Sequence, residues 1–190
     1  MPNHFYAMMS RMKNIYRWGL MRNTRQENLS EHSLEVAMIA HALAVIRNRR
    51  LDGNIDTGAV AAAAMFHDTG EIITGDMPTP VKYYNPEIRS AYKKIEKVAE
   101  TRLLEFLPED LREDFSPLYH PDESTKKIIK AADKISALIK CIEERNMGNR
   151  EFLTAEKSTM KALREMTLPE ADIFIDEFIE SYSLSLDEQH

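Results

Sequence analysis

The chain has 190 residues, of which 43% are hydrophobic and 29% charged, an ordinary balance for a globular protein that can bury a core in one domain. Its formal net charge of −6 argues against a general nucleic-acid surface, because tracking a phosphate backbone requires a basic stripe. Cys141 is the only cysteine, so no intramolecular disulfide can form and a reducing, cytoplasmic setting is expected. Since the N-terminus lacks an apolar signal core and no apolar run approaches the roughly 20 residues that span a bilayer, no membrane partner is expected.

Helix-period patterns dominate the chain, and extended β-branched alternation is nearly absent. The first predicted helix covers residues 4–15, and a polar loop with three arginines and the only tryptophan follows over residues 17–28. Ser30 is predicted to cap a second helix that continues to about residue 49. After a turn, Asp56 is predicted to cap a third, alanine-rich helix that ends with His67 and Asp68.

The prolines in residues 77–80 predict an irregular segment. Asn85 followed by Pro86 is a start signal for a long charged helix to about residue 106. A short helix and a connection are expected over residues 108–119.

A further long helix is predicted to begin at Pro121 or Ser124 and to end at Gly148. Two more helices are expected over residues 151–166 and 169–182. We therefore predict an all-α fold, a single helical bundle formed by residues 1–190.

The polar residues with the clearest chemical potential lie in the stretch A-M-F-H-D-T-G-E-I-I-T-G-D-M-P-T-P, where His67 is followed by Asp68. His32 falls in the first turn of the second helix. Asp133 lies among small residues of an amphipathic helix, where a buried carboxylate needs a cation. Two histidines and two aspartates suit a divalent metal such as Mn²⁺, Co²⁺, Fe²⁺ or Zn²⁺. Four protein ligands leave room for water and substrate, which is typical of a catalytic site.

Each of these residues has an ordinary alternative. A single histidine is more often exposed or hydrogen-bonded than a metal ligand, and His4, His41 and His190 are assigned to that group. Asp133 alone would be a solvated residue on a helix face. It is the combination of residues that favours a metal site.

Helical His32, the pair His67-Asp68 and helical Asp133 resemble the pattern of the HD-domain metal-dependent phosphohydrolases. The strings S-R-M-K-N-I-Y-R-W, L-M-R-N-T-R-Q-E-N-L-S-E-H-S-L, F-H-D-T-G-E-I-I-T-G-D-M-P-T-P-V-K-Y and S-L-S-L-D-E are similar to those of the bacterial HD-domain 5′-deoxynucleotidases. This resemblance implies an HD-type bundle that hydrolyses deoxyribonucleoside 5′-monophosphates to deoxyribonucleosides and phosphate with a metal-activated water. It also implies one divalent ion, Co²⁺, Mn²⁺ or another transition metal, and a homodimer.

Carried over by position, the resemblance assigns roles to particular residues. The implied metal ligands are His32, His67, Asp68 and Asp133. The implied substrate contacts are Arg17, Trp18, Asp68, Asp76, Met77, Pro78, Thr79 and Asp133.

Three catalytic residues are implied as well. The guanidinium of Arg17 would orient the phosphate, Asp68 would help to align the attacking water, and Glu71 would handle a proton. Trp18 would pack against the sugar and disfavour a 2′-hydroxyl. The alternatives are a plain core aromatic for Trp18 and a solvated carboxylate at a helix end for Glu71.

Two other functions stay open at the level of sequence. Other HD-domain enzymes cleave triphosphates, alarmones or cyclic dinucleotides, and His120 is one candidate for the additional ligands that two-metal relatives use. One histidine is fewer than such sites need. The second alternative is a nucleotide-sensing domain without turnover, against which Glu71 and the acidic loop after it argue.

Overall fold

The fold, seen in a computed structural model that describes residues 3–82 and 84–189, consists of helices, and these residues contribute no strand to a sheet. The α-helices formed by this part of the chain are α1 (Phe5–Met9), α2 (Leu29–Arg50), α3 (Thr57–Phe66), α4 (Glu71–Thr74), α5 (Thr79–Lys82), α6 (Pro86–Glu105), α7 (Arg112–Tyr119), α8 (Glu123–Asn146), α9 (Leu153–Glu165) and α10 (Pro169–Phe178). Turns of 3-10 helix join or extend them at Ser10–Asn14, Glu109–Leu111, Arg150–Phe152, Ile179–Ser183 and Leu186–Gln189. The all-α prediction is confirmed.

Helix α2 lies at the centre of the main core, where it packs against α3, α8 and α10. Its residues Val36 and Leu43 are completely buried. Ala63 and Ala64 of α3 are buried too, and these small side chains allow α3 to approach α2 closely. The close approach brings the end of α3 beside the beginning of α2, which is where the predicted ligands lie.

Helix α2 is long and apolar enough to cross a membrane when only length and composition are considered, which the sequence analysis did not anticipate. In the fold, 56% of its apolar window is buried inside the protein. That burial is the environment of a central core helix, and it explains why its apolar residues are so dense.

The starts of the helices follow the capping residues, with corrections to two predictions. Helix α2 begins at Leu29 rather than after Ser30, because Asn28 accepts hydrogen bonds from the Ser30 and Glu31 backbone and forms a complete capping box. Asp122 caps α8, which begins at Glu123, between the two predicted starts Pro121 and Ser124. The predicted caps of α3 and α6 are confirmed: Asp56 and Asn85.

Three segments differ from the predicted helices. The first predicted helix is α only to Met9 and then tightens into a 3-10 turn. Helix α3 ends at Phe66, since the Thr69 hydroxyl donates to the Phe66 carbonyl and His67 lies at the C-cap. The segment expected to be irregular turns into helix α5, because the Pro78 carbonyl accepts from two following backbone N–H groups and Pro80 in the first turn needs no such bond.

The predicted loop before α2 is confirmed as a loop, and its two ends are held together. Tyr16 and Asn28 form an isolated antiparallel bridge, and the Arg17 N–H donates to the Glu27 carbonyl at 3.0 Å. Trp18 has a φ of 60°, in the left-handed region that few large residues adopt. The Asn23 side chain donates to the Trp18 carbonyl and supports this conformation.

The far side of the loop is attached to α8 by one buried carboxylate. Glu144 is 1% exposed and accepts hydrogen bonds from the Thr24 backbone at 2.9 Å, from its hydroxyl at 2.8 Å and from the Asn149 amide at 2.7 Å. Lys140 pairs with it one helical turn away. Burial alone would raise the pKa of Glu144, but the bonds from Lys140, Thr24 and Asn149 outweigh it and lower the pKa to about 2.

We expect Glu144→Gln to destabilise the protein at neutral pH and to alter its response to acid. The folded pKa of about 2 lies below the usual 4.5, so ionised Glu144 contributes about 3 kcal/mol above pH 4.5, and this contribution is lost as the pH falls towards 2. Urea unfolding at a series of pH values should show a difference in the free energy of unfolding between wild type and variant, and this difference should shrink below pH 4.5.

The control for this experiment is Glu165→Gln, since Glu165 forms only an exposed pair with Lys161 at 3.7 Å. It should leave the free energy of unfolding unchanged. A difference between Glu144→Gln and wild type that stays constant with pH would contradict the role given to the Glu144 charge.

Candidate metal centre and nucleotide cleft

The four predicted metal ligands meet at one point of the bundle. His32 comes from the first turn of α2, His67 and Asp68 from the turn after α3, and Asp133 from the middle of α8. One ligand atom from each lies within 4.8 Å of the others. A metal with bonds of 2.0–2.2 Å separates opposed ligands by up to about 4.4 Å, so only a small contraction around an ion is needed.

The histidines direct the same ring nitrogen into this group. His32 Nε2 lies 3.3 Å from Asp133 Oδ1 and 3.5 Å from Asp68 Oδ2, and His67 Nε2 lies 3.1 Å from Asp68 Oδ2. Both Nε2 atoms are buried and lack a hydrogen-bond partner. Buried nitrogens without partners that converge on two carboxylates fit a site for a cation.

The opposite ring nitrogens have acceptors of their own. His67 Nδ1 lies 2.7 Å from the Ala64 carbonyl, and His32 Nδ1 lies 3.1 Å from Ser136 Oγ and 3.2 Å from Glu27 Oε1. A proton on Nδ1 satisfies these contacts and leaves a lone pair on Nε2. Histidine ligands of metals are commonly oriented in this way, so the donor set fits a divalent ion.

The electrostatics of the group also call for positive charge between the carboxylates. Burial alone would raise the pKa of Asp68, but the charge of His67 and the neighbouring imidazole of His32 hold this pKa well below its usual range. Burial would lower the pKa of His32, yet the surrounding carboxylates of Asp133, Asp68 and Glu27 raise it well above normal. Asp68 and Asp133 thus stabilise whatever cation lies beside them.

Arg17 and Trp18 reach this group from the loop before α2. Arg17 Nη1 lies 3.3 Å from Asp68 Oδ2, and Nη2 lies 3.7 Å from Asp133 Oδ1. The Trp18 indole donates to Glu27 Oε2 at 2.9 Å and packs at 5.3 Å between ring centroids against Phe152. The loop therefore places a guanidinium and an aromatic wall next to the proposed ligands.

Glu71 lies at the start of α4, although α3 does not continue to it. Its backbone N–H donates to the Asp68 carbonyl at 2.9 Å, so the turn still places the two residues side by side. Glu71 is 7% exposed, and its Oε2 is buried without a partner. Burial and the negative charges of Asp68 and Asp76 raise the pKa of Glu71 to about 9. In these surroundings the carboxyl keeps its proton at neutral pH.

A cleft of about 540 Å³ opens beside the four-residue group and includes Asp68 and Asp133 in its wall. The other residues implied as substrate contacts line it as well: Arg17, Trp18, Asp76, Met77, Pro78 and Thr79. Glu71 lines the same cleft. Its volume is within the range of small-molecule sites.

Several residues of the site could not be identified from the sequence. Glu27 contacts Arg17, Trp18 and His32. The residues around it in the sequence indicate only a loop that ends at a helix cap. The far wall of the cleft comes from α8 and α9, where residues that read as ordinary helix-face positions turn inward: Lys134, Ala137, Ala155, Ser158, Thr159 and Ala162. Lys82 lines the cleft too and pairs with Glu96 at 2.9 Å.

The other histidines lie away from the centre, as far as the structure describes them. His4 and His41 are exposed, in agreement with the assignment from sequence, whereas His190 lies outside the described residues. His120 lines a separate depression with Glu100 and is not a member of the four-ligand group.

Comparison with known proteins shows the family of this chain. The family described as 5′-deoxynucleotidase YfbR-like matches residues 4–182. The chain belongs to this family. It is 51% identical over 189 residues to the 5′-deoxynucleotidases of Erwinia tasmaniensis and of Yersinia pestis strain Pestoides F, a match that covers 98% of this chain and 96% of each relative.

Comparison with solved structures shows the fold of this chain. An HD-domain phosphohydrolase from Listeria innocua superposes with a TM-score of 0.80 at 22% identity, covering 100% of this chain and 93% of the other. The HD phosphohydrolase of cyanophage S-2L, bound to dA and one catalytic Zn²⁺ ion, has a TM-score of 0.67 at 17% identity over 92% of this chain and 96% of its own. The HD-type fold implied by the sequence is confirmed.

We expect His67→Ala to abolish metal retention, because it removes one of two nitrogen donors. At a Co²⁺ concentration 100 times the dissociation constant, wild type should gain about 2.7 kcal/mol of stability towards unfolding, and the variant should gain almost none. Elemental analysis after gel filtration and urea unfolding with and without Co²⁺ measure both effects. His41→Ala, an exposed position on α2, is the matched control, and equal Co²⁺ content in all three proteins would refute the ligand assignment.

Proposed function

We propose that this protein is a metal-dependent 5′-deoxynucleotidase that hydrolyses deoxyribonucleoside 5′-monophosphates to deoxyribonucleosides and inorganic phosphate. The observation that carries this proposal is that Asp68 and Asp133 belong both to the four-ligand group and to the wall of the cleft. A phosphate at the inner end of the cleft would therefore lie at the proposed metal. Membership of the YfbR-like family and the relatives named 5′-deoxynucleotidase support the same activity.

His32, His67, Asp68 and Asp133 would hold one divalent ion, and two nitrogen and two oxygen donors suit Co²⁺, Mn²⁺ or Zn²⁺. When bound, such an ion supplies Lewis-acid activation of water and of the phosphate oxygens. The Zn²⁺ and dA in the cyanophage HD phosphohydrolase are consistent with a metal and a deoxynucleoside in this fold.

Arg17 would bind the phosphate. Its guanidinium, which is always charged, already faces the two carboxylates that border the inner end of the cleft. A substrate phosphate would offer it a better partner, because guanidinium and phosphate form paired, charge-assisted hydrogen bonds. Asp68 would in addition help to align the attacking water. In the hydrolysis, Arg17 would offset the negative charge that develops on the phosphate oxygens.

Glu71 would handle the proton of the reaction. Its partnerless Oε2 and its place beside Asp68 support this role, because a catalytic carboxyl must have an oxygen available to a reacting group. Glu71, which keeps its proton at neutral pH, would donate that proton to the departing 5′-oxygen. The carboxylate so formed would then accept the proton that the attacking water loses, which restores the starting state.

The nucleoside would lie between Trp18 and the segment formed by Asp76, Met77, Pro78 and Thr79. The indole N–H of Trp18 already donates to Glu27, and the ring has no acceptor, so it offers a 2′-hydroxyl no hydrogen bond. A deoxyribose can lie against such a surface, whereas a ribose would bury an unsatisfied hydroxyl.

We further propose that residues 1–190 act as one HD-type domain, as a homodimer, in the cytoplasm. An exposed apolar patch formed by Met38, Phe178 and Leu184 offers an area for a twofold contact. The buried, single Cys141 fits a reducing compartment. The net charge of −6 fits a small-molecule substrate better than nucleic acid, and burial of α2 in the core fits a protein without a membrane partner.

The proposed activity is tested by a phosphate-release screen after reconstitution with Co²⁺, Mn²⁺ or Zn²⁺. We expect release from deoxyribonucleoside 5′-monophosphates, and Glu71→Gln should lower that rate by roughly 10²–10⁴-fold while retaining metal. Turnover only of triphosphates, alarmones or cyclic dinucleotides would assign another HD-domain activity. Metal and nucleotide binding without turnover of any compound would indicate a sensing domain.

The sugar preference is tested separately. Trp18→Ala should lower the ratio of kcat/KM for deoxyribonucleotide over ribonucleotide by about 10–100-fold, because space opens where the indole excluded a hydroxyl. Tyr16→Ala, an exposed aromatic of the same loop, should leave the ratio unchanged. An unaltered ratio in Trp18→Ala would rule out the indole as the discriminating group.

A further inference from the structure

We propose that Glu27 is a positioning residue that couples the sugar-facing wall of the cleft to the metal centre. Its carboxylate meets three site groups at once: Oε2 accepts from the Trp18 indole at 2.9 Å, and Oε1 lies 3.2 Å from His32 Nδ1 and 3.6 Å from Arg17 Nε. Only 14% of its side chain is exposed. The inference rests on the proposed deoxynucleotidase function.

The contact with His32 determines which ring nitrogen faces the metal centre. Two oxygen atoms lie near His32 Nδ1: these are Glu27 Oε1 and Ser136 Oγ. The Ser136 hydroxyl donates its own proton to Glu35 Oε2 at 2.5 Å, so it offers His32 a lone pair. With acceptors on both sides, Nδ1 carries the proton and Nε2 is free to bind a cation.

The contact with Trp18 sets the plane of the indole. The ring rests on Phe152 on one side, and its single polar atom is fixed by Glu27. The Glu27 backbone carbonyl also accepts from the Arg17 N–H, so the residue holds both the main chain and the side chains of this corner. A shift of the carboxylate would therefore move the aromatic wall and the imidazole together.

A carboxylate can hold the Trp18 indole and the His32 imidazole at the same time. It has two acceptor oxygens, one for the indole N–H and one for the imidazole N–H, and its charge balances the nearby Arg17 guanidinium. A glutamine at this position has one acceptor and one donor group, so it can satisfy Trp18 or His32 but not both. The charge and the second oxygen are what Glu27→Gln removes.

The test uses the fact that Trp18 is the only tryptophan, so its emission reports on this position alone. Zn²⁺, which is redox-inactive, is titrated into the apo protein while the emission spectrum is recorded. The Zn²⁺ affinity is measured separately by chelator competition. In wild type, Zn²⁺ binding should shift the Trp18 emission, because Glu27 touches both groups. In Glu27→Gln, Zn²⁺ affinity should fall roughly 10–100-fold, and binding should no longer move the emission.

A third measurement is the ratio of kcat/KM for deoxyribonucleotide over ribonucleotide, which should fall in Glu27→Gln. Glu151→Gln is the matched control, since Glu151 pairs with Arg22 of the same loop and contacts none of the three groups. It should behave as wild type in all measurements. Glu27→Asp keeps the charge but is one methylene shorter, so its Zn²⁺ affinity, emission response and kcat/KM ratio should change in the same direction. This variant tests the proposal if Glu27→Gln does not fold.

Wild-type Zn²⁺ affinity together with an unchanged emission response in the folded Glu27 variants would overturn the proposal. These two readouts need no turnover. If wild type releases no phosphate from any deoxyribonucleotide, the proposed function fails, yet the titrations still show whether Glu27 couples Trp18 to His32.

Discussion

The proximity of Asp68 and Asp133 is the constraint on which the rest of the site depends. Two carboxylates this close repel each other strongly once water is partly excluded, so positive charge must lie beside them in every state of the protein. The structure meets this need with the Arg17 guanidinium, and two imidazoles direct their Nε2 atoms at the pair, where they can help to bind a cation. A metal ion and a phosphate would together redistribute these charges, since the ion would take the carboxylates and leave the guanidinium to the substrate.

Much of the bundle could be predicted from sequence because the signals that define it are local. Asp56, Asn85 and Pro86 mark their helix starts by side-chain chemistry within a few residues, and the structure agrees. The break after Phe66 was not predictable, because it depends on competing hydrogen bonds at the end of α3. Periodicity alone predicts that the helix continues to His67 and Asp68.

Some residues of the candidate site could likewise be predicted from the sequence, and others could not. His67 and Asp68 stand out as neighbours, and His32 and Asp133 become meaningful through the family pattern. Glu27 has no such signal, since its importance comes from contacts with Arg17 and Trp18 at the other end of the loop and with His32 in the next helix. The wall formed by α9 was also invisible from sequence, because its small residues, such as Ala155 and Ser158, acquire a role only through the packing of that helix beside α8.

The backbone of Trp18 has a consequence for how this corner can change over evolution. A φ of 60° suits glycine or asparagine, and a bulky residue there costs on the order of 1–3 kcal/mol. Substitutions that relax the main chain would therefore delete the aromatic surface, while those that keep a large ring retain the strain. If Trp18 discriminates between sugars as proposed, stability and selectivity make opposite demands at this one position. A lineage selected for heat resistance would then have to gain stability elsewhere in the chain.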